Sequence, residues 1–392
     1  MDEKTRKQNV LIVHNYYQIP GGEDTVVANE MRMLRENGHK VMLYSRNNLE
    51  LKSMSKFQKL MMPINTIFNL KTYKEIKQII RKESIDIVHI HNTLSLISPS
   101  VYYAAKTCTV PIVQTIHNFR LLCPGATFYR DGQICEDCVR QGLYCAVKHG
   151  CYRNSKFQTL ACVISTAIHR MTGIYGKINY ICLTEFTRKK LLTQKQIKPE
   201  RISVKPNVVY DFGGHGKPTD YFVFVGRLEK IKGIELLVNT FKKMPNIKLK
   251  IIGTGSLNDE IKQKIKSEQI NNIELLGFMN RDEVNRVVCG AKALIMCSQW
   301  YETFGMVIVE AYSNGVPVIV GNIGNIQELV KPDVTGKLFT YNSEDALANV
   351  VLNFNEEEIS LFGRNCYKYY KNNFTPENNY KKLISIYEKI SV

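Results

Sequence analysis

Short, near-continuous apolar runs rich in β-branched residues alternate with helical segments along the whole chain, in two series. The first is Asn9 to His14, Lys40 to Tyr44, Asp86 to Ile90, Pro111 to Ile116 and Ile178 to Leu183. The second begins at Tyr221 and continues through Ile247 to Ile252, Ile273 to Leu276, Ala293 to Met296 and Val316 to Val320. Strands with no polar face must be covered on both sides, and intervening helices supply the crossovers that parallel strands require. Glu23 to Glu36, for example, sets Val26, Val27, Met31 and Leu34 at helical spacing. The expected fold is therefore α/β, with two doubly wound, Rossmann-like domains. The Gly-, Pro- and polar-rich stretch Lys205 to Asp220 marks the join. Expected boundaries are 1–208, 209–374 and a terminal helix over 375–392 that could dock on either domain, crossing back if it joins the first.

Composition supports a large buried core: of 392 residues, 44% are hydrophobic and 23% charged. Disordered, collagen-like and disulfide-stapled chains are excluded. The longest uncharged stretches, such as Phe157 to His169, fall short of the ~20 apolar residues that cross a bilayer. The charged N-terminus precedes only the short apolar run Val10 to Val13, so a cytoplasmic location is expected. Eleven cysteines are then read as reduced thiols or metal ligands. A net charge of +17 favours polyanionic partners, including phosphorylated small molecules. Nucleic acid is set aside because no helix-turn-helix, zinc-finger or RNP signature occurs.

The richest stretch for chemistry is Cys297 to Val320, CSQWYETFGMVIVEAYSNGVPVIV. A strand is expected to end near Cys297 and a helix to run from about Phe304 to Asn314. Ligands of open α/β sheets bind beyond the carboxyl ends of strands, where helix N-termini direct N–H groups at anions. Gly305 offers that approach without a Cβ. Glu302 and Glu310 stand eight residues apart, ~12 Å on a helix, which is too far for a hydrolytic carboxylate pair. Such a pair suits hydroxyls at two ends of one long ligand. The run GRLEKIKG adds Arg227, a fork suited to phosphate, and Lys232, a mobile point charge. A weaker glycine turn, Gly253-Thr254-Gly255, follows the next strand.

Taken together, E302-TFGMVIV-E310 and GRLEKIKG resemble family 4 of the retaining, nucleotide-sugar-dependent glycosyltransferases, and the resemblance runs over nearly the whole chain. It implies the GT-B fold, with parallel sheets facing an interdomain cleft. It also implies that Arg227 and Lys232 hold the donor diphosphate and that Glu310 takes the ribose hydroxyls. Glu302 would bind donor-sugar hydroxyls, the Phe304, Gly305, Met306 and Val307 backbone would face sugar and phosphate, and Gly277 and Phe278 would touch the base. Gly21 and Gly22 match the family's glycine loop, and His117 its cleft histidine. His89 and His91 are similarly placed. Asn207-Val208 stands where the family often has Asn-Gly, and Thr303 where it often has Gly. No Asp-x-Asp occurs, so no catalytic metal or cofactor is expected. The implied activity is sugar transfer to a hydroxyl of a glycan or lipid-linked glycan in bacterial surface polysaccharide synthesis. A regulatory GT-B subunit and a sugar-nucleotide epimerase are the alternatives.

Two features stand outside that core. Cys123, Cys135, Cys138 and Cys151, with Cys145 nearby, fall in an insertion of little periodicity over about 118–154. Their spacing is compatible with a four-thiolate structural zinc site. From Leu51 to Lys82 there are eight basic residues and one acid, interleaved with Phe57, Leu60, Met61, Met62, Ile64, Ile67 and Phe68. That pattern suits contact with an anionic membrane at the inner face of the plasma membrane.

Overall fold

The computed structural model describes residues 6–19, 21–213 and 218–391. Part of the expected join, 214–217, lies outside the described residues. The chain folds into two compact units: Met1–Thr127, Glu136–Val208 and Pro376–Val392 form one, Phe128–Cys135 and Val209–Thr375 the other.

The first unit holds strands β1 (Asn9–Tyr16), β2 (Lys40–Asn47), β3 (Ile87–Asn92), β4 (Ile112–Ile116), β7 (Asn179–Cys182) and β8 (Ile202–Val204). They form an all-parallel sheet in the order β2-β1-β3-β4-β7-β8. Val10 to Val13 and Ile87 to Asn92 are buried along their length because helices cover both faces, which explains the apolar runs. The C-terminal helix Pro376–Ser391 belongs to this unit and buries Leu383, Ile384 and Tyr387.

In the second unit lie the short antiparallel pair β5 (Tyr129–Arg130) and β6 (Gln133–Ile134), followed by the strands of a second parallel sheet. These are β9 (Phe222–Val225), β10 (Leu249–Ile252), β11 (Ile273–Gly277), β12 (Leu294–Met296), β13 (Val318–Gly321) and β14 (Gly336–Phe339), in the order β11-β10-β9-β12-β13-β14. Both sheets are Rossmann-like, as expected. Some strands were not legible: β8 and β14 are too short or too polar to form an apolar run, and the β5–β6 hairpin lies in the cysteine-rich insertion.

The insertion differs from the expectation in one respect. Residues Phe128–Cys135 pack with the second unit, although the sequence boundary placed all of 118–154 in the first. The reason is local: the Phe128 ring meets Tyr301 edge-on at 6.3 Å, and the Tyr129 hydroxyl donates to Gln299 Oε1 at 3.3 Å.

Candidate functional site

In the second unit, the carboxyl ends of β9, β10 and β12 are held together by glycines. Gly233 has φ +72°, and a Cβ there would lie 2.1 Å from the Cys297 carbonyl oxygen. That closeness lets Gln299 N–H donate to the Ile231 carbonyl at 2.9 Å and docks the turn bearing Lys232 on the loop after β12. Gly253, at φ +131°, closes in the same way on the Gly226 carbonyl, fixing the backbone before Arg227.

The docked turn brings Lys232 Nζ to 2.5 Å from Glu302 Oε1. The same oxygen accepts from Ser298 Oγ at 2.7 Å and from Trp300 Nε1 at 2.8 Å. Lys232 also lies 5.1 Å from the centroid of the Trp300 ring, within cation–π range. The Glu302 side chain is 12% exposed. Burial alone would raise its pKa, but Lys232, Ser298 and Trp300 outweigh it and hold the carboxyl below its ordinary value. Arg227 is exposed on the adjoining turn.

The helix expected from Phe304 begins later, at Met306, and ends at Ser313. Gly305 caps it at φ +104°, a left-handed conformation that ends the preceding loop. Glu302 is therefore a loop residue, and the helical-rise separation from Glu310 does not apply. Phe304 is buried against Phe374, and its carbonyl is taken by Asn325 Nδ2 at 2.7 Å. Met306 and Val307 start the helix, and Val307 and Glu310 line a cavity of roughly 190 Å³ with Phe212, Arg281 and Asn285. The Arg281 guanidinium stacks on Phe212 at 4.7 Å. Burial raises the Glu310 carboxyl above its ordinary value, and Arg281 opposes it. Gly277, at φ +69°, accepts from Gly253 N–H at 2.8 Å, and Phe278 beside it is 82% exposed.

The first unit carries its own polar cluster at the carboxyl ends of its strands. Gly21 is extended and caps the helix Gly22–Glu36, its N–H donating to Asp24 Oδ2 at 3.0 Å. Asp24 Oδ1 lies 2.8 Å from Nε2 of the buried His14, and Tyr17 donates to Glu23 at 2.9 Å. Burial drives the Glu23 carboxyl up to about 8. His117, at the end of β4, has Nε2 2.9 Å from Nδ1 of His91. His91 is 2% exposed and His89 fully buried.

Sequence reasoning missed Ser298, Trp300, Arg281, Phe212 and Asp24, and read Glu23 only as the end of the Gly21-Gly22-Glu23 glycine loop. The first two flank Glu302 in CSQWYE, and Trp300 is the single tryptophan, which is signal enough to have found them. Arg281 and Phe212 are far apart in sequence, and only folding joins them.

Residues 211–373 match the family model described as "Glycosyl transferases group 1", and residues 20–141 match "Glycosyltransferase Family 4". The chain belongs to these glycosyltransferases. It is 21% identical to an uncharacterised 41.2 kDa protein of the cps region of Klebsiella pneumoniae, over 96% of this chain and 99% of that one. It is 23% identical to an Escherichia coli UDP-Gal:α-D-GlcNAc-diphosphoundecaprenol α-1,3-galactosyltransferase, over 83% of this chain and 80% of that one. A glycosyltransferase structure from Rickettsia africae superposes with a TM-score of 0.71 at 18% identity, covering 98% of each chain. Anabaena HepE in complex with UDP-glucose gives 0.68 at 16%, covering 98% of this chain and 99% of that one. These likenesses establish the GT-B fold class of the glycosyltransferase.

Proposed function

We propose that this glycosyltransferase moves a sugar from a nucleoside diphosphate donor to a hydroxyl of a glycan or lipid-linked glycan, with retention of anomeric configuration, in bacterial cell-surface polysaccharide synthesis. The observation that carries this reading is the Lys232–Glu302 contact beside the Gly305 helix start. It sets a cation next to an anion that hydroxyls can address, at the carboxyl end of a parallel sheet. Arg227, Lys232 and the amides after Gly305 stabilise the charge that grows on the diphosphate as its bond to the sugar breaks, a role worth ~3–4 kcal/mol for each lost donor. Glu310 receives the ribose hydroxyls, with Phe278 and Gly277 beside the base. The departing phosphate oxygen accepts the acceptor's proton, so no separate base is needed. On the first unit, His117 and the Gly21-Gly22 turn position sugar or acceptor. The solved complex of HepE with UDP-glucose and the uridine-diphosphate galactose donor named for the E. coli relative favour a nucleotide-sugar donor. A thermal-shift screen of UDP- and GDP-sugars, followed by anomeric analysis of product by NMR, tests the reading. Stabilisation by one nucleotide sugar and a product with the donor's anomeric configuration are expected. Binding of none, or an epimerised donor without acceptor, overturns it.

A structural zinc ion held by Cys123, Cys138 and Cys151 with a fourth thiol of the insertion is part of the same proposal. Burial first, then the thiols of Cys123, Cys151 and Cys145, push Cys138 up to about 12, a crowding of thiols that a divalent metal relieves. The Ala146 backbone hydrogen-bonds Cys138, and a Cβ on Gly125 would stand 3.7 Å from Cys123 Sγ and 3.4 Å from Cys151 Cβ. The metal would order a segment whose helices are only four and six residues long.

Membrane contact is proposed through a paired helical face. Helices Lys56–Ile67 and Lys156–Met171 pack together. Phe57, Leu60 and Ile64 on one, and Phe157, Leu160 and Met171 on the other, are exposed. Lys56, Lys59 and Lys156 border them, which matches an anionic lipid surface. Among the described residues no helix is long and apolar enough to span a membrane.

A further inference from the structure

The chain leaves β12 at Cys297 and reaches Glu302 without regular structure. A carboxylate on such a loop would ordinarily swing. This loop is fixed at its middle by Gln299, whose N–H donates to the Ile231 carbonyl at 2.9 Å. The Gln299 side chain adds two more anchors: Oε1 accepts from the Tyr129 hydroxyl at 3.3 Å, and Nε2 donates to Asn342 Oδ1 at 3.3 Å. The residues on either side of Gln299 both turn to Glu302. They are Ser298, which is buried, and Trp300.

All of these donors meet one oxygen. Oε1 of Glu302 accepts from Lys232 Nζ at 2.5 Å, Ser298 Oγ at 2.7 Å and Trp300 Nε1 at 2.8 Å. Lys232 lies 5.1 Å from the Trp300 ring centroid, so ammonium, indole and carboxylate brace one another. A carboxylate divides about four lone-pair sites between its two oxygens, so Oε1 is fully subscribed. Among the described residues Oε2 accepts no hydrogen bond, and it is open to solvent. Turning the carboxyl group to offer Oε1 instead would break every one of those charge-assisted bonds. Burial opposes the Glu302 charge, but Lys232, Ser298 and Trp300 outweigh it and hold the carboxyl below its ordinary value. Oε2 is therefore an anionic acceptor at pH 7, with one position and one direction of approach.

Lys232 is shared, because its ammonium also faces the diphosphate in the proposed reaction. Ser298 and Trp300 have no second task and hold Glu302 before any ligand arrives. We propose that Trp300 and Ser298 are positioning residues for the donor sugar, which lock Glu302 so that Oε2 takes a single hydroxyl and selects the sugar by the orientation of that hydroxyl. An epimer that points the hydroxyl elsewhere leaves Oε2 without its donor, and a site built to hydrogen-bond a hydroxyl rejects ligands that fail to supply it. This role rests on the reading of Glu302 as the residue that binds donor-sugar hydroxyls, but the lock on Oε1 does not.

The lock is tested without ligand. Trp300 is the single tryptophan of the chain, so ¹⁵N-labelled full-length protein gives one indole N–H signal. At pH 7 that signal is expected away from the free-indole position and is expected to move in Glu302→Gln. A signal at the free-indole position, or one that Glu302→Gln leaves in place, overturns the lock. The role in sugar selection is tested by calorimetry with UDP-glucose, UDP-galactose, GDP-mannose, GDP-glucose, UDP and GDP. Wild type is compared with Trp300→Phe, which keeps a ring under Lys232 and loses the N–H. The Kd of the preferred nucleotide sugar is expected to rise about 10-fold, while that of its bare nucleoside diphosphate changes by less than about twofold. The preference between the two sugars on that base is expected to narrow. Unchanged affinities, or equal losses for the nucleotide sugar and the nucleoside diphosphate, overturn the selection role and leave the donor reading standing. Binding of no nucleotide at all overturns the donor reading and this role with it. Should Trp300→Phe fail to fold by circular dichroism, Ser298→Ala removes the other uncharged donor and is judged by the same outcomes.

Discussion

Lys232 Nζ sits 2.5 Å from Glu302 Oε1, and the two side chains are 70 residues apart in sequence. The contact exists because Gly233 has no Cβ to strike the Cys297 carbonyl, which lets the turn after β9 lie on the loop after β12. A cation and an anion so placed can each engage a different part of a nucleotide sugar.

Removing Lys232 should therefore damage chemistry far more than folding. Lys232→Ala is expected to lower transfer by about 10²–10³-fold. The cost in stability should stay within about 1 kcal/mol, since the lysine is partly exposed and solvent screens the pair. Steady-state rates and urea unfolding of the same preparation check this, and near-normal turnover would remove Lys232 from the diphosphate role.

Glu302 and Glu23 should give opposite pH responses. The Glu302 carboxyl is held below its ordinary value, so its ionised form stabilises the fold above the unfolded pKa, and that contribution is lost as the pH falls through the folded value. Glu23 is driven up to about 8, so the native state binds the extra proton and stability declines as the pH rises from about 4.5 to 8. Glu23→Gln keeps an acceptor for Tyr17 and should flatten that decline, with a gain of order 1 kcal/mol at pH 8. Melting temperature as a function of pH for both proteins reads the difference.

The glycines should separate into structural and ligand-facing sets. Gly233→Ala forces a Cβ to 2.1 Å from a backbone oxygen at a left-handed φ, and a loss of about 2 kcal/mol or more is expected. Gly21 is extended and a Cβ there meets nothing within 4 Å, so Gly21→Ala should change stability by less than about 0.5 kcal/mol. A fall in transfer by Gly21→Ala with unchanged unfolding would assign that position to ligand approach.

Metal analysis of the purified protein should return about one zinc per chain, lost together with cooperative unfolding of the 118–154 segment when Cys138 and Cys151 are both replaced by Ser. Folded protein that binds no zinc after incubation with the metal alone would overturn the site. Replacing Cys135 or Cys145 singly then tells which completes the set.

Flotation with vesicles containing about 30% anionic lipid should retain the protein, and retention should fall on raising salt. Leu60→Gln with Phe157→Gln, both exposed, should abolish it without a change in melting temperature. Equal retention on neutral vesicles, or by the double variant, would refute the paired face.

Much was legible in the chain because burial on both faces of a parallel sheet writes itself as unbroken apolar runs. β1, β3, β4, β9 and β10 all reveal themselves this way, as do the two acids and the basic turn of the second unit, each fixed to a strand end by local order. The extent of the helix after Gly305 was not legible, since the left-handed glycine delays its start to Met306 and leaves Glu302 in the loop.

What the amino-acid order determined by itself is the architecture and the chemical inventory, because hydrophobic periodicity and strand–helix alternation are properties of neighbours in sequence. Only the tertiary structure decided which groups act on one another. Trp300 and Ser298 bind the same oxygen as Lys232, Arg281 stacks on Phe212, and Glu30 meets Lys205 across 175 residues. Protonation states and hydrogen-bond direction depend on distances of a few ångströms through low dielectric, and no local pattern of residues encodes those distances.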